Sequence, residues 1–344
     1  MRLVRFNHAD KLRLGALLDG SELVVDLEAA ATAYLRQQGD PFAAEEARIR
    51  LPVETADFLA GGTRSQSLAR AAFAFAQAHP VASGVPLMIS SKSLRLELPL
   101  TPPLIVCGGG NFWGHLRESG RDKPDHVEFF LKSSASLIGP EDDIPYRPWV
   151  SQKLDYEAEL GIVIGKRGHR IPRERALEYV FGYTAVNDLA IRDRQLTRWQ
   201  GGSFQVKYGD GKVFDHNLVL GPAIVTADEI ADPMNLSIRC WVDQQLRQDS
   251  NTREYIWGVA EVIEYYSSMI TLEPGFLICP GTPGGCAVGS DPDCGGRSTH
   301  IAAGSEYLRP GQTVAVEIGG IGRIANEVRE ARSCAPTQDS RRAD

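Results

Sequence analysis

The chain has 344 residues, 43% of them hydrophobic and 24% charged, and its 37 Lys and Arg against 44 Asp and Glu give a formal net charge of −7. That length can bury a large core in one domain or two, while the negative balance argues against nucleic acid, whose phosphates call for a basic face. No apolar run approaches a membrane span, the start MRLVRFNHAD lacks the apolar stretch of a signal peptide, and six cysteines in so long a chain point to a reducing cytoplasm, not a disulfide scaffold.

Residues 1–30 alternate in short runs (RLVRF, RLGALLDGSELVVDL) broken by Asp and Gly, which predicts a small β-meander. Helical patterns follow near 26–37 and 65–78, the second stopped by Pro80. LELPLTPPLIV, 96–106, carries three prolines and reads as a linker between an N-terminal module (1–100) and a main body (101–330). In the body, LSIRCWV turns Leu236, Ile238, Cys240 and Val242 to one face, and TVAVEIGGIG does so with Val314, Val316 and Ile318. One helix is expected over 258–272, where Val259, Val262, Ile263, Tyr266, Met269 and Ile270 keep a 3.6-residue period. Strands are too many, and too rarely alternate with helices, for a doubly wound sheet. The expectation is a β-rich α+β fold with a loose polar tail over 331–344.

Four stretches carry chemistry. KLDYEAELGIVIGK, 153–166, spaces Asp155, Glu157 and Glu159 two apart, which on a strand puts all three on one side. Like charges so close raise one another's pKa unless a cation compensates. Oxygen-only ligands would favour Mg²⁺, Mn²⁺ or Ca²⁺ over zinc, although a water-facing edge strand has the same pattern. In NDLAIRDRQ, a helix over 188–197 would align Asp188, Arg192 and Gln195, suiting a metal and an oxygen-rich anion or simply a capped helix with one salt bridge. CGGGNFWGHLRES offers His115 and Glu118 as a general-base dyad, or as a surface pair. In CPGTPGGCAVG, the backbone N–H groups around Gly281, Gly284 and Gly285, with the Thr282 hydroxyl, could hold a carboxylate. Cys279, Cys286, Cys294 and His300 match no zinc spacing, so unpaired thiols in loops are expected.

Taken together, EAELGIVIGK, NDLAIRDRQ, FFLKSSASLIGP, GKVFDHNLVLGP, ITLEPGFLICPGTPGG and LRPGQTVAVEIGGIGRIAN resemble, in order and spacing over about 104–328, the fumarylacetoacetate hydrolase family. The resemblance implies a rolled mixed β-sandwich behind a smaller N-terminal α/β module, usually as a homodimer. It implies Mg²⁺ or Mn²⁺, with Ca²⁺ as a substitute, on Glu157, Glu159 and Asp188, and makes Asp155 a neighbour of the ion. Lys132, Arg192, Gln195, Lys212 and Thr282 would surround the substrate, and His115 and Glu118 would sit on a lid whose Asn111 and Phe112 touch it. The sequence departs from the family at Phe112, where a Tyr is usual, and in a Cys- and Gly-rich insertion over 284–298. The expected reaction is hydrolysis of a C–C bond in an acylpyruvate- or fumarylacetoacetate-like 2,4-dioxo acid. Decarboxylation, keto–enol isomerisation of a 2-oxo or 2-hydroxydienoic acid, and ligand binding without turnover are the alternatives.

Overall fold

The computed structural model describes residues 1–198, 204–299 and 306–332. The expected meander is present as β1 (Arg2–His8), β2 (Lys11–Leu17) and β3 (Leu23–Asp26). Ala9 and Asp10, both at positive φ, form the two-residue turn that joins β1 to β2, the turn geometry that matches strand twist. Asp26 then caps α1 (Leu27–Gln37) through the Ala29 amide at 3.1 Å. α2 (Gly62–Ala78) buries Leu68, Ala69, Ala72 and Ala76, small residues that let it lie close to α1. Two short helices, Ala43–Arg50 and Thr55–Ala60, precede α2, the second burying Thr55, Phe58 and Leu59 on one side. β4 (Met88–Ser90) closes this part.

The stretch read as a linker over 96–106 is built into the fold. The strand Arg95–Glu97 pairs with β1, Leu100 is fully buried, and the Thr55 hydroxyl donates to the Pro99 carbonyl at 2.6 Å. Its prolines mark a passage between layers, not a hinge, and β5 (Ile105–Gly109) follows at once.

The body adds α3 (Trp113–Ser119), β6 (Glu128–Lys132), β7 (Ala158–Ile164), β8 (Val180–Asp188) and β9 (Leu218–Thr226). Next come β10 (Ser237–Val242), β11 (Gln245–Asn251), α4 (Val259–Ser267), β12 (Leu277–Cys279), β13 (Thr313–Ile318) and β14 (Gly322–Glu330). α4 is shorter than the 258–272 pattern, but Val259, Val262, Ile263 and Tyr266 face the core as its period requires. The main sheet runs β4-β3-β2-β1-β9-β8-β7-β12-β5-β6, so the N-terminal strands extend the body's sheet through the β1–β9 pairing. A second sheet contains β14-β13-β10-β11.

Alternation divides the core. Ala158, Leu160, Ile162 and Ile164 of β7 pack with Ile238, Val314 and α4, whereas Val163 and Val186 pack with the N-terminal helices. β7 and β8 are therefore buried on both faces, which explains their near-continuous apolar sequence. The fold is α+β and strand-rich, as expected. Among the described residues no helix is long and apolar enough to cross a membrane. Beyond Arg332 the expected loose tail lies outside the described residues.

The centre of this sheet has no spare volume. A Cβ on Gly182 of β8 would collide with the Val225 carbonyl oxygen of β9 and meet Ile224 Cγ2 at 3.0 Å. Gly182→Ala is expected to lower unfolding free energy by ~1–3 kcal/mol, measured as a reduced urea midpoint at unchanged slope.

Candidate active site

β7 and β8 run antiparallel and end together, with Glu159 opposite Val186 and the Asp188 amide donating to the Glu157 carbonyl at 2.9 Å. Cross-strand pairing and alternation therefore put Glu159, in β7, and Asp188, the last residue of β8, on one face, and the Asp188 amide ties Glu157, just before β7, to the same end. One oxygen from each lies within 4.8 Å of the others, and all three side chains are buried.

The reading of 188–197 as one helix is corrected. Asp188 is the last residue of β8, paired with Leu218, and only Arg192–Gln195 makes a helical turn. The main chain up to Asp188 is committed to strand ladders, so Asp188 and Arg192 converge through a strand end and a turn. The alternation from Asp155 to Glu159 is also broken, because regular pairing in β7 starts only at Ala158. Asp155 instead accepts from Arg192 Nε at 2.7 Å and from the amides of Ala287 at 2.9 Å and Val288 at 3.1 Å.

Cations interleave with the acids. Arg192 also pairs with Glu157 and donates to Gln195 Oε1 at 2.6 Å. Lys212 Nζ donates to Glu157 Oε2 at 2.6 Å and to the Asp188 carbonyl at 2.8 Å. Lys132 pairs with Asp188 Oδ1 from behind and does not reach the cavity. Burial pushes the Glu157 carboxyl up, but Lys212 and Arg192 outweigh it and hold it below its usual range. Glu159 has no such help: burial and the Asp188 and Glu157 charges push it far up.

That contrast is the test of fit for a cation. Glu159 Oε2 accepts from the Gly281 amide at 2.8 Å, whereas its Oε1 is buried with no hydrogen-bond partner. Asp188 Oδ2 also lacks one, because Lys212 Nζ at 3.1 Å is misaligned for a hydrogen bond. Two orphaned carboxylate oxygens facing one point are what a hard divalent ion would satisfy. Among the described residues, this triad is the group of possible ligands close enough to share an ion. The described cysteines are free thiols. Cys279 lies in β12 and not in a loop, and His300 is outside the described residues.

His115 projects from α3 into a cavity of about 530 Å³ that Glu157, Arg192, Gln195, Lys212 and Thr282 also line. Its imidazole is enclosed by protein but open to that cavity. Burial, together with Arg192, Arg121 and Lys212 and against the pull of Glu157, lowers its pKa to about 4. Its Nδ1 is buried with no partner, so the hydrogen bond expected from Glu118 at that atom is not made. Glu118 Oε2 accepts instead from the Gly285 amide at 2.8 Å. The 281–285 turn does hold carboxylates, but they are the protein's own.

Besides Lys132, two more expected substrate contacts are corrected. Asn111 is buried, clamping Trp257 with bonds of 2.8 and 3.0 Å. Phe112 is fully buried against Tyr255, ring centroids 4.4 Å apart. Both backbone and side chain are consumed by packing, so neither residue lines the cavity. Thr282 reaches it while donating to the Ala158 carbonyl at 3.0 Å.

Sequence reasoning missed Tyr208, Arg121 and Glu128. The Tyr208 hydroxyl donates to Glu128 at 2.8 Å, Arg121 pairs with the same carboxylate at 3.0 Å, and the Tyr208 ring stacks on Phe130. Only the four-residue spacing of Tyr208 before Lys212 hinted at a shared face.

A family model described as "Fumarylacetoacetate (FAA) hydrolase C-terminal" matches residues 104–329. The mitochondrial oxaloacetate tautomerase fahd2 of Xenopus laevis is 34% identical over 331 residues, 95% of this chain and 90% of its own length. The fumarylacetoacetate hydrolase of Exiguobacterium antarcticum superposes with a TM-score of 0.71 at 27% identity, covering 96% of this chain and all of its own. The maleylpyruvate hydrolase of Sphingobium sp. SYK-6, solved with manganese(II) and pyruvate, gives 0.68 at 26% identity with the same coverage.

Saturating Mn²⁺ or Mg²⁺ is expected to raise the melting temperature, since about a hundredfold excess over Kd stabilises by ~2.7 kcal/mol. Glu159→Gln should be more stable than the wild type without metal, because the wild-type carboxyl must take up a proton on burial there and the amide need not, and should gain nothing from Mn²⁺. Differential scanning fluorimetry with and without EDTA reads both.

Proposed function

We propose that this chain, which belongs to the fumarylacetoacetate hydrolase family, is a divalent-metal-dependent enzyme that hydrolyses a C–C bond in a 2,4-dioxo acid of the acylpyruvate type. The observation that carries this reading is a neutral imidazole, His115, facing the same cavity as Glu157, Arg192 and Lys212.

Mg²⁺ or Mn²⁺ would be held by Glu157, Glu159 and Asp188, and when bound supplies Lewis-acid stabilisation of negative charge on oxygen. Lys212 and Arg192, buried beside the triad, offset most of its negative charge and, with the ion bound, would orient the substrate's 2-oxo carboxylate there. His115 takes a proton from water on an unprotonated ring nitrogen. The hydroxide oxygen bonds to the distal carbonyl carbon. The bond from that carbon to the methylene breaks, its electron pair leaves as the pyruvate enolate, and the proton on His115 passes to the carbon. Acylpyruvate and water thus become a carboxylic acid and pyruvate. Glu118 acts at one remove, fixing α3 against the Gly285 amide so that His115 stays over the cavity. A homodimer belongs to the same reading, on the family resemblance alone.

The similarity to oxaloacetate tautomerases favours a second reading, proton shuttling between the keto and enol forms of a 2-oxo acid without attack by water. It uses the same base and the same charged end. A four-carbon acid would leave much of the cavity unfilled, which favours the larger 2,4-dioxo acid.

Incubation with acetylpyruvate, fumarylpyruvate and oxaloacetate, with and without EDTA, separates the readings. Cleavage of an acylpyruvate that EDTA abolishes is expected, and turnover of oxaloacetate alone would overturn hydrolysis. His115→Ala should retain Mn²⁺ binding and lose at least ~10²-fold in kcat. The free base is the active form, so kcat/KM should hold from neutral pH down to the edge of the His115 titration and fall as pH drops through about 4.

A further inference from the structure

The cavity is most densely charged beside the triad, and elsewhere its lining mixes apolar side chains with Arg121, Tyr208 and Arg297. Past the charged inner end, its outer half is walled by Leu196, by Phe204 and Val206, and by Val288 and Cys294 of the 284–298 insertion. The strands Leu196–Arg198 and Phe204–Val206 form a hairpin that stands over the site. Cys286, Val288 and Cys294 cluster with Leu196 apart from both main cores, so this apolar surface is not needed to pack the sheets. Gly295, at φ +84°, brings its backbone against the Phe204 ring, which lies 3.1 Å from where a Cβ would stand. Hairpin and insertion thereby close one wall.

The charges on this side are weak attractors. Arg121 is paired with Glu128 at 3.0 Å, a carboxylate that also accepts from Tyr208. Arg297 is exposed at the rim with its guanidinium laid over Gly120. A substrate carboxylate placed among Leu196, Phe204 and Val288 would lose its hydration without a partner. An apolar group there would lose nothing and gain contact.

We propose that this outer compartment receives an apolar acyl group larger than acetyl, a ring or a branched chain, and that Leu196, Phe204 and Val288 set that preference. The inference rests on the acylpyruvate reading, with the 2-oxo carboxylate at the Arg192–Lys212 end and the acyl group pointing outward.

The test compares acetyl-, isovaleryl-, benzoyl- and fumarylpyruvate on the Mn²⁺-loaded enzyme. One methylene in an apolar pocket discriminates by roughly 10–200-fold, so kcat/KM for benzoylpyruvate should exceed that for acetylpyruvate at least ~10-fold. Phe204→Ala, on the partly exposed hairpin, should shrink that ratio, and Val288→Phe, which fills the compartment, should lower it further. Equal or better cleavage of acetylpyruvate would overturn the proposal. So would a preference for fumarylpyruvate, which would make Arg297 a carboxylate receptor. Calorimetric affinities of Mn²⁺-loaded His115→Ala for the same four acids read the compartment without turnover. If no acid is cleaved but benzoylpyruvate binds tightest, the hydrolase reading falls and the compartment stands; flat affinities remove the compartment whatever the reaction.

Discussion

The structure depends on holding four carboxylates, Asp155, Glu157, Glu159 and Asp188, in a protein interior with only three cations among them, Arg192, Lys212 and Lys132. Burying charge is costly unless each ion finds a partner. Here the partners are distributed unevenly. Asp155 has a guanidinium and three amides, Glu157 has a guanidinium and an ammonium, and Asp188 has two ammonium groups nearby. Glu159 has a single amide. The deficit of one positive charge thus falls chiefly on Glu159, and a cation at the triad would make it good.

The main sheet makes this arrangement affordable. Because β7 and β8 are covered by the second sheet on one face and by the N-terminal helices on the other, the acids at their ends are buried. Low effective dielectric strengthens every ion pair there and raises the cost of each unpaired oxygen. The extension of the sheet through β1 and β9 has a chemical consequence: the helices of the first eighty residues shield the face on which the triad lies, without contributing a side chain to the cavity.

Much of this was legible in the sequence. The two-residue spacing of Glu157 and Glu159, the Asp188–Arg192–Gln195 series and the GTPGG turn are local patterns, and one oxygen from each of the three carboxylates among them lies within 4.8 Å of the others, although Asp188 gets there from a strand end and not a helix. What failed were inferences that depend on where a backbone's hydrogen bonds go. Asp188 could be assigned to a helix only while its pairing with Glu157 and β9 was unseen. The family resemblance implies Asn111 and Phe112 on the cavity, yet 111–112 runs extended against 255–257 before α3 begins, which turns both inward. Tyr208, Arg121 and Glu128 were invisible because their contact joins segments up to 87 positions apart, with no shared motif.

The 281–288 segment joins these observations. Its Gly281 amide holds Glu159, its Gly285 amide holds Glu118 on the helix that presents His115, and its Ala287 and Val288 amides hold Asp155, the anchor of Arg192. Gly281 and Gly285 both lie at positive φ, where a side chain would be strained, and a Cβ on Gly285 would strike the Arg247 carbonyl. One short loop thereby sets the positions of the base, the least compensated acid and the buried guanidinium. The insertion continues from this same loop. Val288 serves both ends at once, its amide holding Asp155 at the charged end while its side chain lines the outer wall with Cys294, so the wall that would choose the acyl group is built on the loop that fixes the charge.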